Sequence, residues 1–242
     1  MTATATLVRP LTARSVVLSL LLGAHPPRLP VRHILEAGEA FGLAPATVRV
    51  ALTRLVQTGD LVSEQAVYAL SPRHLERQKA QDAEMDPVRR PWDGRWETIV
   101  VTSTGRDAAS RADLRRRLTS RRLVMLREGV WMRPDNLARV DSPEPDTIRL
   151  LADPDDPDAL VHQLWDLPGW AATGRDLLDA TAHGPTFAER FTGATALVRH
   201  LRTDPALPDA LLPDDWPGAA LRKGYEDFRS EIKHLRATGG TS

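Results

Sequence analysis

From Ala13 to Leu22 the segment ARSVVLSLLL is apolar around most of its circumference, the pattern of a short helix enclosed in a small core, and Gly23 can end it. After Pro30 the stretch VRHILEAGEAFGL sets Val31, Ile34, Leu35 and Gly38 on one helical face and closes at Gly42. Pro45 then stands where the first turn of a helix tolerates it, and PATVRVALTRLVQTG follows. Here Val48, Ala51, Leu52, Leu55 and Val56 recur at helical spacing and point inward, leaving Thr47, Arg49, Val50, Thr53, Arg54 and Gln57 on the outer face. Gly59 stops the helix, and DLVSEQAVYAL alternates as two short strands, Leu61–Ser63 and Ala66–Leu70, joined around Glu64 and Gln65.

Three helices followed by a hairpin predict a winged helix-turn-helix over residues 1–72. Residues 73–90 are polar and end in prolines, which marks a connecting helix and a boundary. A second pattern opens at Arg95. WETIVVT, LVMLR, VWMRP and TIRLLA read as strands, SRADLRRRLTSRR is an arginine-rich helix, and PDNLARV can supply a helical turn. The order βαββαβ predicts a ferredoxin-like sheet over 91–152 with its helices on one face. From Asp153 to the end the pattern is helical, so the fold class is α+β with a helical domain at 153–242.

Charge changes this picture only when divided along the chain. The net charge is zero, but residues 1–85 hold 9 basic and 7 acidic side chains, 86–140 hold 13 and 7, and 141–242 hold 10 and 18. A basic front and an acidic rear suit a protein that meets a polyanion with one part of its surface. The absence of cysteine excludes disulfides, thiolate metal sites and cysteine nucleophiles. No apolar run approaches the roughly 20 residues of a membrane span, and no signal peptide is read at the start, so a cytoplasmic protein is expected. The seven histidines show no zincin spacing, and neither a nucleophile elbow nor a phosphate-binding or dinucleotide-binding glycine loop occurs. No catalytic residue, metal site or cofactor is therefore expected.

Three stretches carry a resemblance to a known family. APATVRVALTRLVQTGDLV resembles the recognition helix of the PaaX family of transcriptional repressors, regulators of phenylacetate degradation, and PWDGRWETIVV with REGVWMRP resembles its central domain. LRTDPALPDALLPDDWPG is similar to the family's C-terminal signature. The resemblance implies a repressor of a catabolic operon that works as a dimer and is released from DNA by an acyl-coenzyme A thioester.

Arginine can pair bidentately with guanine and threonine can meet phosphate or a thymine methyl, so Thr47, Arg49, Val50, Thr53, Arg54 and Gln57, with Gln65 on the wing, are the expected contacts to operator DNA. An effector site is expected at Arg115, Arg116, Trp131, Arg133 and Trp165, in a cleft between the central and C-terminal domains. Most arginine-rich runs such as 111–122 are solvated helix faces, and the alternatives are contacts to flanking DNA phosphates or to the phosphates of a nucleotide-like ligand. Two alternatives stand beside the repressor. One is an activator on the same scaffold; the other is a metal-dependent nuclease built on the central domain, whose first strand ends Val101-Thr102-Ser103 with Asp107 as the nearest acid.

Overall fold

Helix α1 (Ala13–Leu22) begins where Thr12 Oγ1 accepts from the Ser15 N–H at 3.2 Å, in a computed structural model that describes residues 11–138 and 144–238. It buries Val16, Val17, Leu20 and Leu21. Helices α2 (Val31–Ala40) and α3 (Pro45–Gln57) follow, turned by Gly42 at φ +67°, a conformation that costs glycine nothing. They approach closely at Gly38, where a Cβ would lie 2.6 Å from Val48 Cγ2. The buried face of α3 is Val48, Leu52 and Leu55, narrower than its apolar pattern. Val56, expected inward, is 37% exposed, because it sits about 100° round the helix from Leu55 and the small three-helix core does not reach it. Beyond α3, Asp60 N–H bonds to Leu55 O and Gly59 N–H to Val56 O, a Schellman closure with Gly59 at φ +68°.

Strand β1 (Arg28–Pro30), unread in the sequence, pairs with β3 (Val67–Leu70), which also pairs with β2 (Leu61–Glu64), giving an antiparallel sheet of order β1-β3-β2. The prolines flanking β1 disguised it, yet an edge strand tolerates them since its outer N–H groups need no partner. The β2–β3 turn falls on Gln65 and Ala66, both left-handed at φ +46° and +62°, one residue later than the alternation suggested. Helix α4 (Pro72–Met85) then folds back onto this body, Gln78 Nε2 donating to Leu22 O at 2.5 Å and to Ala24 O at 3.2 Å.

The central strands β4 (Trp96–Val101), β5 (Val124–Arg127), β6 (Val130–Pro134) and β7 (Thr147–Ala152) form a sheet of order β5-β6-β4-β7 with every neighbouring pair antiparallel. Helix α5 (Ala108–Ser120), capped by Asp107, links β4 to β5. Strand alternation sorts the core into two layers. Ile99 and Trp131 pack with Leu114, Leu118 and Leu123 beneath α5, while Trp96 and Met132 face the other side and meet Leu207, Leu211 and Val161 of α6 (Pro157–Leu164). The sheet is thus covered on both faces, where the sequence pattern placed helices on one. The helical turn expected in PDNLARV is also absent from its described part: Asp135–Ala138 are not helical, Leu137 bridges to Arg89, and Arg139 and Val140 lie outside the described residues. Buried polar anchors hold this segment extended, Arg90 pairing with Asp135 and Asn136 Nδ2 donating to Ala206 O at 2.9 Å.

Helices α7 (Leu167–His183), α8 (Phe187–Leu201) and α9 (Gly218–Thr238) complete the chain. A reciprocal capping box between Thr186 and Glu189 starts α8. Phe191 meets Phe41 edge-on at 5.2 Å and Phe228 at 6.2 Å, so one aromatic cluster joins the end of α2 to α8 and α9. By contacts the chain forms two units, each from separated stretches. One comprises the chain up to Met85, Ala171–Thr203 and the chain from Pro217; the other comprises Asp86–Trp170 and Asp204–Trp216.

Candidate nucleic-acid interface

The outer face of α3 carries Thr47, Arg49, Val50, Thr53, Arg54 and Gln57, all exposed, and the helix contains no acidic residue. The periodicity that buries Val48, Leu52 and Leu55 turns these six outward. Thr53 Oγ1 donates to the Arg49 carbonyl at 3.0 Å, which holds its hydroxyl against the helix. Val50, 51% exposed, adds an apolar position suited to a thymine methyl. Gln65 is exposed at the tip of the hairpin, and Val62 lies exposed on β2 beside it.

Behind this face lies a residue the sequence did not single out. Asp60, 2% exposed, receives Thr58 Oγ1 at 2.7 Å, His74 Nε2 at 2.9 Å, Arg14 Nη2 at 2.9 Å and an ion pair from Arg73. Those partners come from α1, the end of α3 and the start of α4, so a single carboxylate ties three helices together. The hydrogen bonds from Thr58 and His74, with the charge of Arg14 and a hydrogen bond from Arg73, hold its carboxyl far below the usual range against the opposing effect of burial. Only the Gly-Asp pair after a helix hinted at it, and that reads as an ordinary stop signal.

The residues expected at an effector site do not converge. Arg115 stacks over Trp131 with 5.9 Å from guanidinium to ring, and the two border a cleft of about 360 Å³ shared with Arg106, Arg111 and Glu128. Arg116 is exposed and pairs with Asp113 at 2.5 Å. Trp165 lies on the other face of the sheet, 6.1 Å from Trp96. Trp131 and Trp165 therefore cannot form one pocket wall, because alternation along β6 aims Trp131 at α5. Arg133 is buried beside Glu97, with Nε 3.4 Å from the carboxylate. Arg121 and Arg149 also reach Glu97, each at 2.9 Å, so one buried acid is shared by three arginines. Burial pushes Arg133 down to about 10, opposed by Glu97 and Asp135, and it remains protonated at neutral pH.

Among the described residues no group of three or more His, Cys, Asp or Glu side chains could hold a metal ion, and no helix is long and apolar enough to cross a membrane. Family models match most of the chain: PaaX-like protein over residues 12–74, PaaX protein central Cas2-like domain over 89–142, and PaaX-like protein C-terminal domain over 170–238. The chain belongs to the PaaX family. This membership is consistent with a transcriptional regulator rather than an enzyme. Among solved structures, the chain is similar to the uncharacterized protein Rv0674 from Mycobacterium tuberculosis, with 47% identity and a TM-score of 0.86 over 94% of this chain and 98% of that one. Comparison with curated proteins found no match.

Proposed function

We propose that this chain is a DNA-binding transcriptional regulator of the cytoplasm, a homodimeric repressor of a catabolic operon that leaves its operator when an acyl-coenzyme A thioester or related anionic metabolite binds. On this reading residues 1–72 are a winged helix-turn-helix with α3 as recognition helix and β2–β3 as wing, 73–90 connect, 91–152 are a ferredoxin-like domain, and the helices of 153–242, expected as one body but divided between the two units, serve dimerisation. The carrying observation is the acid-free outer face of α3, where two arginines, two threonines, a valine and a glutamine stand exposed beside a short hairpin. Such a helix offers bidentate donors for guanine and apolar contacts for thymine at major-groove spacing. One such module reads few base pairs, and a symmetric dimer couples two half-sites. The cleft at Arg106, Arg111 and Arg115 supports an anionic effector, since guanidinium groups there can meet phosphate or carboxylate. Sequencing of DNA that co-purifies with the protein, followed by mobility-shift titration, tests the reading. A discrete, inverted-repeat site bound tightly over random DNA is expected, and equal affinity for all sequences would overturn it.

A further inference from the structure

A second cleft lies wholly within the unit that contains α3. It has a volume of about 290 Å³ and runs between α1, α8 and α9. Its walls are Phe191, Tyr225 and Phe228 with Leu20 and Val198, and four arginines, at 77, 199, 202 and 229, also line it. No acidic side chain is among its lining residues. Arg202 is answered by Glu84 at 2.5 Å, and Arg229 lies over the Tyr225 ring at 5.7 Å with Nη2 2.7 Å from His25 Nδ1. Among the described residues Arg77 and Arg199 have no ion-pair partner. Aromatic walls with positive charge around them suit a molecule that is apolar at one end and anionic at the other.

We propose that this cleft binds a compact amphipathic carboxylic acid, its hydrocarbon body against Phe191, Tyr225 and Phe228 and its carboxylate toward Arg77 and Arg199. Size sets the class. The volume is at the lower end of the roughly 300–1,000 Å³ typical of small-molecule sites, so a free acid fits and a nucleotide-bearing thioester does not enter whole. The site is distinct from the cleft at Arg115, with which it shares no residue.

Its position gives binding a consequence for α3. Ser15, Ser19 and Leu22 line the cleft along α1 with Leu20 at its inner edge, and the face of α1 turned away from it, Val16, Val17 and Leu21, is buried in the core that α1 shares with α3. An acid seated there presses on α1 and alters the seat of α3. This coupling rests on the proposed DNA-binding role, whereas binding itself does not.

Calorimetry on the full chain with octanoate and 2-naphthoate, each against its uncharged amide, tests the site. The acids are expected to bind roughly tenfold or more tightly than the amides, as a charge-assisted pairing requires. Ser19→Phe, which fills the cleft from α1, is expected to abolish binding, and Arg77→Gln with Arg199→Gln, both exposed, to remove the preference for acid over amide. Arg115→Glu is expected to leave binding unchanged. Equal affinity for acid and amide, no binding of either acid to the wild-type chain, or undiminished binding by a Ser19→Phe protein of native circular dichroism would overturn the proposal. Operator affinity is measured separately: if the acids bind as expected and leave it unmoved, the coupling to DNA fails and the site stands.

Discussion

His74 Nε2 lies 2.9 Å from Asp60 Oδ1, and both residues are buried, joining the start of α4 to the turn that ends α3. The same carboxylate takes Thr58, Arg14 and Arg73, so the orientation of the outer face of α3 depends on one acid beneath it. Removing the acid leaves the buried His74 without its partner, while Arg14 and Arg73, both more than half exposed, return to water, so the loss is about 1–3 kcal/mol. Asp60→Ala is therefore expected to lower the urea midpoint strongly and to weaken DNA binding even though Asp60 itself is buried.

The pH dependence follows from the direction of the shift. Asp60 has its pKa lowered in the folded chain from the ordinary 3.8. Its contribution is fully present above 3.8 and is lost as pH falls below that value toward the folded pKa. The stability gap between wild type and Asp60→Asn is expected to be constant near neutrality and to narrow below about pH 4. Denaturant titrations at a series of pH values measure it, and a gap that widened on acidification would contradict the assignment.

Gly38 and Val48 set the spacing between α2 and α3. A methyl group at 38 would lie 2.6 Å from Val48 Cγ2, with Leu43 Cβ 3.9 Å away. Gly38→Ala is expected to destabilise by about 1–3 kcal/mol through overpacking, despite the higher helix propensity of alanine. In a double-mutant cycle Val48→Ala should cost less in the Gly38→Ala background than alone, since it removes the clashing methyl. Strict additivity would mean that the helices separate freely.

On the outer face, Arg49→Ala is expected to weaken specific operator binding by about 1–3 kcal/mol and to change nonspecific binding much less, as loss of a base-edge contact does. Mobility shifts at matched salt on operator and random DNA separate the two. An equal loss on both would reassign Arg49 to a phosphate.

Glu97 stands opposite Arg133 in the β4–β6 register and also meets Arg121 and Arg149. Glu97→Gln leaves three guanidinium groups around a neutral amide and is expected to cost about 3–5 kcal/mol. Arg133→Met in that background should recover part of the loss by removing the most buried of the three cations. Thermal melts of the three variants decide it, and no recovery would show that Arg133 is held by other partners.

For the cleft at Trp131, Arg111→Glu with Arg115→Glu, both lining it, is expected to abolish the response of DNA binding to an acyl-coenzyme A thioester while leaving α3 folded. If the double variant keeps the response and instead loses DNA affinity with a shallower salt dependence, the arginines belong to the DNA footprint.

The local elements were legible because their signals are local. Apolar spacing in 13–22 and 45–57, Pro45 at a helix start, Gly42 and Gly59 at helix ends, and the short β-branched and aromatic runs at 96–101 and 130–134 each report on neighbours within a few residues. The six outward positions of α3 were read from the same spacing. Tertiary structure alone decided which distant segments meet. That β1 completes the first sheet depends on pairing Arg28 with Ala69, and no local pattern encodes a partner forty residues away. That Trp131 and Trp165 take opposite faces depends on strand order and on which layer covers each side, so two tryptophans suited to one pocket by type are separated by the sheet. Asp60 and Glu97 likewise look like ordinary surface acids in the sequence. Their weight comes from cations delivered by other elements, and an ion pair has no period along a chain from which it could be read.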